Sequence, residues 1–204
     1  RREAIAAKRV HGDWRRGIGL AMGEWANWVG TSTSCVILND DGTLSVVTGS
    51  VDLTGAHTAL LQIAAEELEV PLERVHIRLA DTDAIPYHDT SGGSRTTYAG
   101  GLAVVEAARE IKRRMLEASA RELETPVDRL LYRQGGVVDR DRPDRRLSLG
   151  ELGALTPHYG PLTGTATVAQ RPTPPAYSIC IVELAVDTGT GKVRLDRVFS
   201  ALEV

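Results

Sequence analysis

Between residues 35 and 79 the hydrophobic pattern changes period twice, and this constrains the fold more than any other feature of the chain. Cys35 to Leu38 and Leu44 to Thr48 are β-rich runs that flank Asn39-Asp40-Asp41-Gly42. Asp-Gly between two such runs signals a hairpin, because the turn needs a residue that tolerates positive φ. Leu61, Ala64, Ala65 and Leu68 then fall at i, i+3, i+4 and i+7 and share one helical face. That spacing predicts a helix starting near Ala56 and ending before Pro71. Val75 to Leu79 alternates, as a half-buried strand does. Hairpin strand, helix and strand form a β-α-β unit.

The rest of the chain is read around that unit. Asp81 to Thr97 is irregular and rich in Asp, Thr, Ser and Gly. Val104, Ala108, Ile111 and Met115 form the buried stripe of a long helix expected over about 101–120. Thr125-Pro126 reads as an N-cap followed by proline at the first helical position, which predicts a short helix over 126–131. Gly136 to Val138 is expected to be a short strand. Residues 139–146 are almost all Asp and Arg, the pattern of a solvated loop, with a phosphate site as the rarer meaning. Ser148-x-x-Glu151 is a capping box. Thr163 to Ala169 is expected to be an extended polar strand. Tyr177 to Val186 and Lys192 to Ser200 predict a hairpin turning at Asp187 to Gly191. Residues 179–182 are apolar on both sides, so that strand is expected to be covered on both faces. Near the start, Gly17 to Met22 is expected to be a buried strand, preceded by a connecting segment over 1–16, with 17–204 as one domain. The fold class expected is α/β of the α+β type: mixed β-sheets packed against helices.

Composition excludes several classes. With 24 Lys+Arg against 27 Asp+Glu the net charge is −3, which disfavours nucleic acid as a partner. Hydrophobic residues make up 42% and charged residues 25%, ordinary globular usage that argues against general disorder. No apolar run approaches the ~18 residues of a membrane span, and no signal-peptide pattern opens the chain. Cys35 and Cys180 sit in strand-like apolar runs and read as buried, inert thiols.

No catalytic signature is written in the chain: there is no Cys-x-x-Cys, His-Glu-x-x-His, P-loop or Gly-x-Ser-x-Gly. The five histidines, at 11, 57, 76, 88 and 158, are scattered, so neither a catalytic nor a metal-ligand set is assigned. Two glycine-containing segments stand out instead. Asp52-Leu53-Thr54-Gly55-Ala56-His57-Thr58 opens the first helix, and Ser91-Gly92-Gly93-Ser94-Arg95-Thr96-Thr97 precedes the second. A helix start offers unpaired N–H groups and partial positive charge, glycines admit an anion to the backbone, and Arg95 adds a planar donor fork. The chemistry indicated is binding of a phosphate or another electron-rich cofactor group. On spacing alone, two ordinary helix caps are the favoured meaning.

A wider pattern adds to these segments. Gly49 to Thr58, Gln62 to Leu68, Val70 to Val75, Asp81 to Tyr87, Ser91 to Tyr98 and the closing Val182 to Val193 together resemble the molybdopterin-binding large subunit of the xanthine dehydrogenase, aldehyde oxidase and carbon monoxide dehydrogenase family. The blocks occur in the family's order over most of the chain. The resemblance implies a molybdenum–molybdopterin cofactor, often extended in that family to the cytosine dinucleotide form, and an oxidoreductase that hydroxylates aldehydes, purines or heteroaromatic rings with oxygen from water. It implies that Thr54, Gly55, Ala56, His57 and Thr58 approach the molybdenum and pterin. Gly92, Gly93, Ser94, Arg95, Thr96 and Thr97 would hold the pterin and its phosphates. Implied partners are the remaining segments of the same subunit and iron–sulfur and FAD subunits or domains, in a cytoplasmic complex that forms a homodimer. The chain departs from the family where Leu53-Thr54-Gly55 replaces the usual Gly-Gln-Gly, and Thr54 is shorter than that Gln. The family's catalytic Glu belongs to a later segment, so this chain resembles a middle slice, expected to be inactive alone. Two alternatives stay open: a non-catalytic association module with the family fold, and a small anion or nucleotide binder.

Overall fold

The computed structural model describes residues 13–26, 30–79, 81, 83–169 and 175–203. The chain divides into two compact units, residues 28–172 and residues 1–27 with 173–204.

The larger unit opens with the expected hairpin. Strands β2 (Ser32–Leu38) and β3 (Leu44–Thr48) pair antiparallel, and Gly42 takes φ 80° in the turn. The Asn39 side-chain amide donates to the hydroxyls of Thr43 and Ser45, bracing the turn against β3. Helix α1 (Ala56–Glu67) carries the chain back, and β4 (Val75–Arg78) enters parallel to β3. The sheet is completed on its other side by β8 (Thr163–Val168), giving the order β4-β3-β2-β8. Helix α2 (Thr96–Glu122) packs on β2 and β8, with Val104, Ala107, Ala108, Ile111 and Met115 fully buried. The close approach has a sequence cause. A Cβ at Gly164 on β8 would lie 2.1 Å from the Ala107 carbonyl oxygen, so only glycine lets the helix backbone seat there. The α1 stripe buries Leu60 together with Ala64, Ala65 and Leu68. The C-terminal carbonyls of α1 are capped from outside: Lys112 donates to the Glu67 carbonyl at 2.7 Å and Tyr132 to the Leu68 carbonyl at 2.8 Å.

A second sheet in this unit is an antiparallel meander of β5 (Leu130–Tyr132), β6 (Gly136–Asp139) and β7 (Arg146–Ser148). The helix expected over 126–131 is not formed. The Thr125 hydroxyl donates back to the Leu123 carbonyl instead of capping forward, and Pro126 is extended at ψ 139°. One 3₁₀ turn, Val127–Arg129, then leads directly into β5. The charge run 139–146 is not uniformly solvated either. Asp139 is fully buried and accepts from Arg129, from Arg142 and from the Asp141 amide. Its burial raises its pKa, but those donors outweigh it and hold the carboxyl below its ordinary value. The capping box forms as expected at the start of α3 (Leu149–Ala154), which is followed by the short α4 (Thr156–Tyr159).

The smaller unit is one antiparallel sheet, β1 (Trp14–Trp25), β9 (Ala176–Asp187) and β10 (Val193–Glu203), with β9 central. Of the expected connecting segment, residues 1–12 lie outside the described residues, and strand begins at Trp14. The Asp187 carboxylate closes the β9–β10 turn by accepting from the Gly189 amide and the Thr190 hydroxyl. Two burial expectations are corrected here. The strand containing Gly17 to Met22 is largely exposed, with Met22 at 74%, and β9 is not covered on both faces, since Ile179 remains 39% exposed. Among the described residues no helix belongs to this unit to cover the sheet. Cys35 and Cys180 are half-buried rather than core residues. The class is α+β, with mixed and antiparallel sheets packed with helices, as the sequence implied. Among the described residues no helix is long and apolar enough to cross a membrane.

Candidate functional site

Because β3 and β4 are parallel, their C-terminal ends share one edge of the sheet. Both glycine-containing segments leave from that edge, one from β3 into α1 and the other after β4 into α2. Ligands of open α/β sheets commonly bind outside such strand ends. The topology therefore places on one side of the larger unit two segments that lie about forty residues apart in the chain.

Close packing joins them. A Cβ at Gly49, just after β3, would sit 2.9 Å from His88 Cβ and 3.0 Å from the Pro86 carbonyl. The Tyr87 carbonyl accepts from the Thr33 amide and the Asp89 amide donates to Thr31, stitching this stretch to the start of β2. In α2, a Cβ at Gly100 would approach Leu60 of α1 and His88 Nε2, and one at Gly101 would meet Ile63 of α1 at 2.8 Å. The two helices thus approach each other closely at two glycines of α2.

The two helix starts share a backbone device. Thr54 and Gly55 take φ 55° and 83°, and Gly93 and Ser94 take φ 60° and 61°. In each case a left-handed residue, Gly55 or Ser94, precedes right-handed backbone at Ala56 or Arg95. That alternation points successive N–H groups into one concavity. The electrostatics of the two starts differ. At α1 the Asp52 carboxylate accepts from the His57 amide at 3.0 Å, so the chain places its own anion there. At α2 no side chain caps the start and no acidic residue occupies the first turn. The open donor set is therefore at α2.

The predicted residues sort by exposure. Thr54, Gly55, Thr58, Gly92, Ser94 and Thr97 are exposed, Gly93 and Thr96 half-buried, and Ala56, His57 and Arg95 buried. The Thr54 hydroxyl donates to its neighbour's carbonyl, Leu53 O, at 2.7 Å. The His57 ring donates from Nε2 to the Ser50 carbonyl at 2.9 Å, so it braces the loop from inside. Arg95 corrects the expectation of an exposed anion fork. Its side chain is fully buried and donates to the carbonyls of Asp89, Thr90, Gly30 and Thr31 and to the Ser32 hydroxyl.

Sequence reasoning missed His88. Its Nδ1 donates to the Asp89 carbonyl at 2.8 Å, and its Nε2 is buried without a partner. Burial, followed by the Arg95 charge, lowers its pKa from 6.5 against the opposing pull of Asp89. The available signal was Gly100-Gly101 inside a helix, which marks close approach of something. A cleft of about 700 Å³ lies elsewhere, along β6 and β7 near Arg133 and Arg146, and none of its lining residues belongs to either segment. Among the described residues no three His, Cys, Asp or Glu side chains converge as metal ligands would.

Comparison with known proteins identifies the family. The family model described as the molybdopterin cofactor-binding domain matches residues 1–204. The chain is 30% identical over 202 residues to the xanthine dehydrogenase molybdenum-binding subunit of Escherichia coli O157:H7, covering 93% of this chain and 27% of that protein. It is 30% identical over 201 residues to the carbon monoxide dehydrogenase large chain of Afipia carboxidovorans, covering 87% of this chain and 25% of that one. The structure of reconstituted CO dehydrogenase from Oligotropha carboxidovorans superposes with a TM-score of 0.81 at 21% identity, covering 98% of this chain and 27% of that one, a likeness of fold. The chain thus spans about a quarter of the length of these relatives.

Proposed function

We propose, from the premise that this chain belongs to the molybdopterin cofactor-binding domain family, that it forms part of the cofactor cradle in the large subunit of a molybdenum hydroxylase. The observation that carries this is one difference between two otherwise similar left-handed helix starts: at α1 the Asp52 carboxylate accepts from the His57 amide, whereas at α2 no side chain caps the start. That donor set fits an anionic, oxygen-rich group such as a pterin phosphate. Gly92, Gly93, Ser94, Thr96 and Thr97 would hold the pterin and its phosphates through backbone amides and hydroxyls. Thr54, Gly55 and Thr58 would face the molybdenum end, with Ala56 and His57 supporting them from within. When bound, the group supplies the redox centre at which oxygen from water is transferred to an aldehyde or heteroaromatic substrate. This chain's residues bind and orient it, and the proton-transferring base comes from another part of the subunit. The cytosine dinucleotide form, iron–sulfur and FAD partners, a homodimeric assembly and a cytoplasmic location belong to the same reading. The relatives' descriptions as a subunit and a large chain support its multi-subunit part.

The test is molybdenum and pterin content of the full-length, natively purified protein. Near-stoichiometric content is expected, and Ser94→Asp, which puts an acid at the open start, should lower it on the order of tenfold. A second reading, an association module that keeps the fold without cofactor, draws on Thr54, whose hydroxyl is turned onto the preceding Leu53 carbonyl. Absence of molybdenum and pterin from the native protein would decide for it.

A further inference from the structure

Residues 85–89 run antiparallel to the start of β2, and His88 lies at the centre of that pairing, bridged to Ser32. On either side of it the Tyr87 carbonyl accepts from the Thr33 amide at 3.0 Å and the Asp89 amide donates to the Thr31 carbonyl at 2.9 Å. The His88 side chain lies between two glycines. A Cβ at Gly49 would lie 2.9 Å from His88 Cβ, and one at Gly100 of α2 would lie 3.3 Å from Nε2 and 3.5 Å from Leu60 of α1. This seat suits one protonation state. Nδ1 faces the Asp89 carbonyl at 2.8 Å and must carry the proton, which leaves Nε2 bare. Nε2 is buried with no hydrogen-bond partner among the described residues. A second proton there would be a charged, buried donor without an acceptor. The charged groups acting on the ring come from two elements. Arg95, at the start of α2, donates to the Asp89 and Thr90 carbonyls and repels a second cation. Asp89, on the ring's own stretch, attracts one, but its carboxylate accepts from the Thr90 amide and packs on Gly30. α1 and the end of β3 present Leu60 and Gly49, neither of which stabilises a charge. Burial is the largest influence and favours the neutral ring.

We propose that His88 is a proton-sensitive latch on the segment that leads into α2. Neutral, it seats residues 85–89 against Gly49, Gly100 and β2. Protonated, it leaves that seat for water, and the Thr33–Tyr87 and Thr31–Asp89 bonds open with it. The freed stretch runs directly into Gly92 to Thr97, so acid loosens that segment. The proton binds more readily in the open form. The latch is therefore fully closed above about pH 6.5 and opens as the pH falls below it. The proposal concerns the fold and stands whether or not a cofactor binds there.

Amide hydrogen exchange in the 204-residue chain, corrected for the intrinsic effect of pH, tests the latch. The Thr33 and Asp89 amides should exchange through a local opening. They should be less protected than the Leu38 amide, which pairs with Leu162 from the same strand β2, and insensitive to urea below the unfolding transition. Their protection should fall by up to about tenfold per pH unit below pH 6.5. His88→Asn puts an amide donor where Nδ1 stands and takes no second proton, so protection at both amides should be flat over the same range. Protection that holds in wild type, that falls equally in His88→Asn, or that is lost at Thr33 and Asp89 only together with Leu38 overturns the latch. Should the variant not fold, the wild-type ring decides. Its proton NMR titration should have a midpoint below pH 6.5 and track the loss of protection. A midpoint at or above pH 6.5, or a titration that leaves protection unchanged, overturns the proposal.

Discussion

His88 shows how one ring records its surroundings. Nδ1 gives its proton to the Asp89 carbonyl, so Nε2 is the bare nitrogen, and it is buried without a partner near Gly100. Protonating Nε2 would place a cation in that pocket beside Arg95, and burial with that neighbour depresses the pKa below 6.5. A depressed histidine binds its proton more readily in the unfolded chain. Its contribution to stability is therefore complete above about pH 6.5 and is lost as pH falls through the lower folded value. His88→Gln should accordingly lose less stability than wild type between about pH 7 and pH 5. Urea unfolding at a series of pH values reads this directly, and parallel pH curves for the two proteins would refute it. Thr54 makes a different residue-scale prediction. A β-branched residue at φ 55° is strained, and asparagine occupies that region with less strain. Thr54 is exposed and its hydroxyl bonds only locally. Thr54→Asn should therefore stabilise the protein by on the order of 1 kcal/mol, measured as a higher urea midpoint with an unchanged m-value.

At the scale of elements, the seat of α2 on β8 depends on one missing methyl. Gly164→Ala would force a Cβ against the Ala107 carbonyl and the Ile111 amide, so helix and strand must part. The expected loss is about 1–3 kcal/mol, as in overpacked cores. Gly150→Ala is the control: it lies inside α3 with only the Ser148 hydroxyl 4.0 Å away, and should raise stability by up to about 1 kcal/mol. Equal effects at the two glycines would remove the steric account. The same elements show what a sequence discloses. The β2–β3 turn, α1, α2, the capping box of α3 and the β9–β10 hairpin were legible because their signals are local: Asp-Gly, 3.6-residue spacing, Ser-x-x-Glu and a glycine-bearing turn. The segment after Pro126 was misread because Thr125 had a choice of partners, and the preceding helix end took it. Gly164 carried no signal at all, since its partner backbone lies more than fifty residues away in sequence. Of the candidate site, the two glycine-containing segments ahead of the helices were legible from composition, but not their left-handed backbone at Thr54 and Ser94. The inward direction of Arg95 was not, because an arginine after Gly-Gly-Ser has the same letter whether its fork meets solvent or carbonyls.

Taken whole, the chain places nearly all of its core in one unit. The hydrophobic cluster from Val36 to Leu162 is built from residues of the 28–172 segment, whose four-stranded sheet is backed by two helices. In the smaller unit Ala185 is the single fully buried apolar residue among those described, while Leu20, Met22, Leu195 and Leu202 are each more than 60% exposed. Folding must offset a backbone entropy of about 1–2 kcal/mol per ordered residue. Apolar burial contributes roughly 25 cal/mol for each Å² removed from water. A sheet that buries one alanine cannot meet that cost alone, whereas the larger unit contains the burial its own ordering requires. A chain consisting of residues 28–172 should therefore fold by itself, with helical circular dichroism and a single cooperative urea transition. A peptide covering residues 175–203 should show no cooperative transition, as expected for an isolated hairpin. The smaller unit's exposed apolar side chains should also make the 204-residue chain bind a hydrophobic dye that the 28–172 segment binds weakly. Non-cooperative unfolding of the 28–172 segment, or stable structure in the hairpin peptide, would show that the division of stability between the units is wrong.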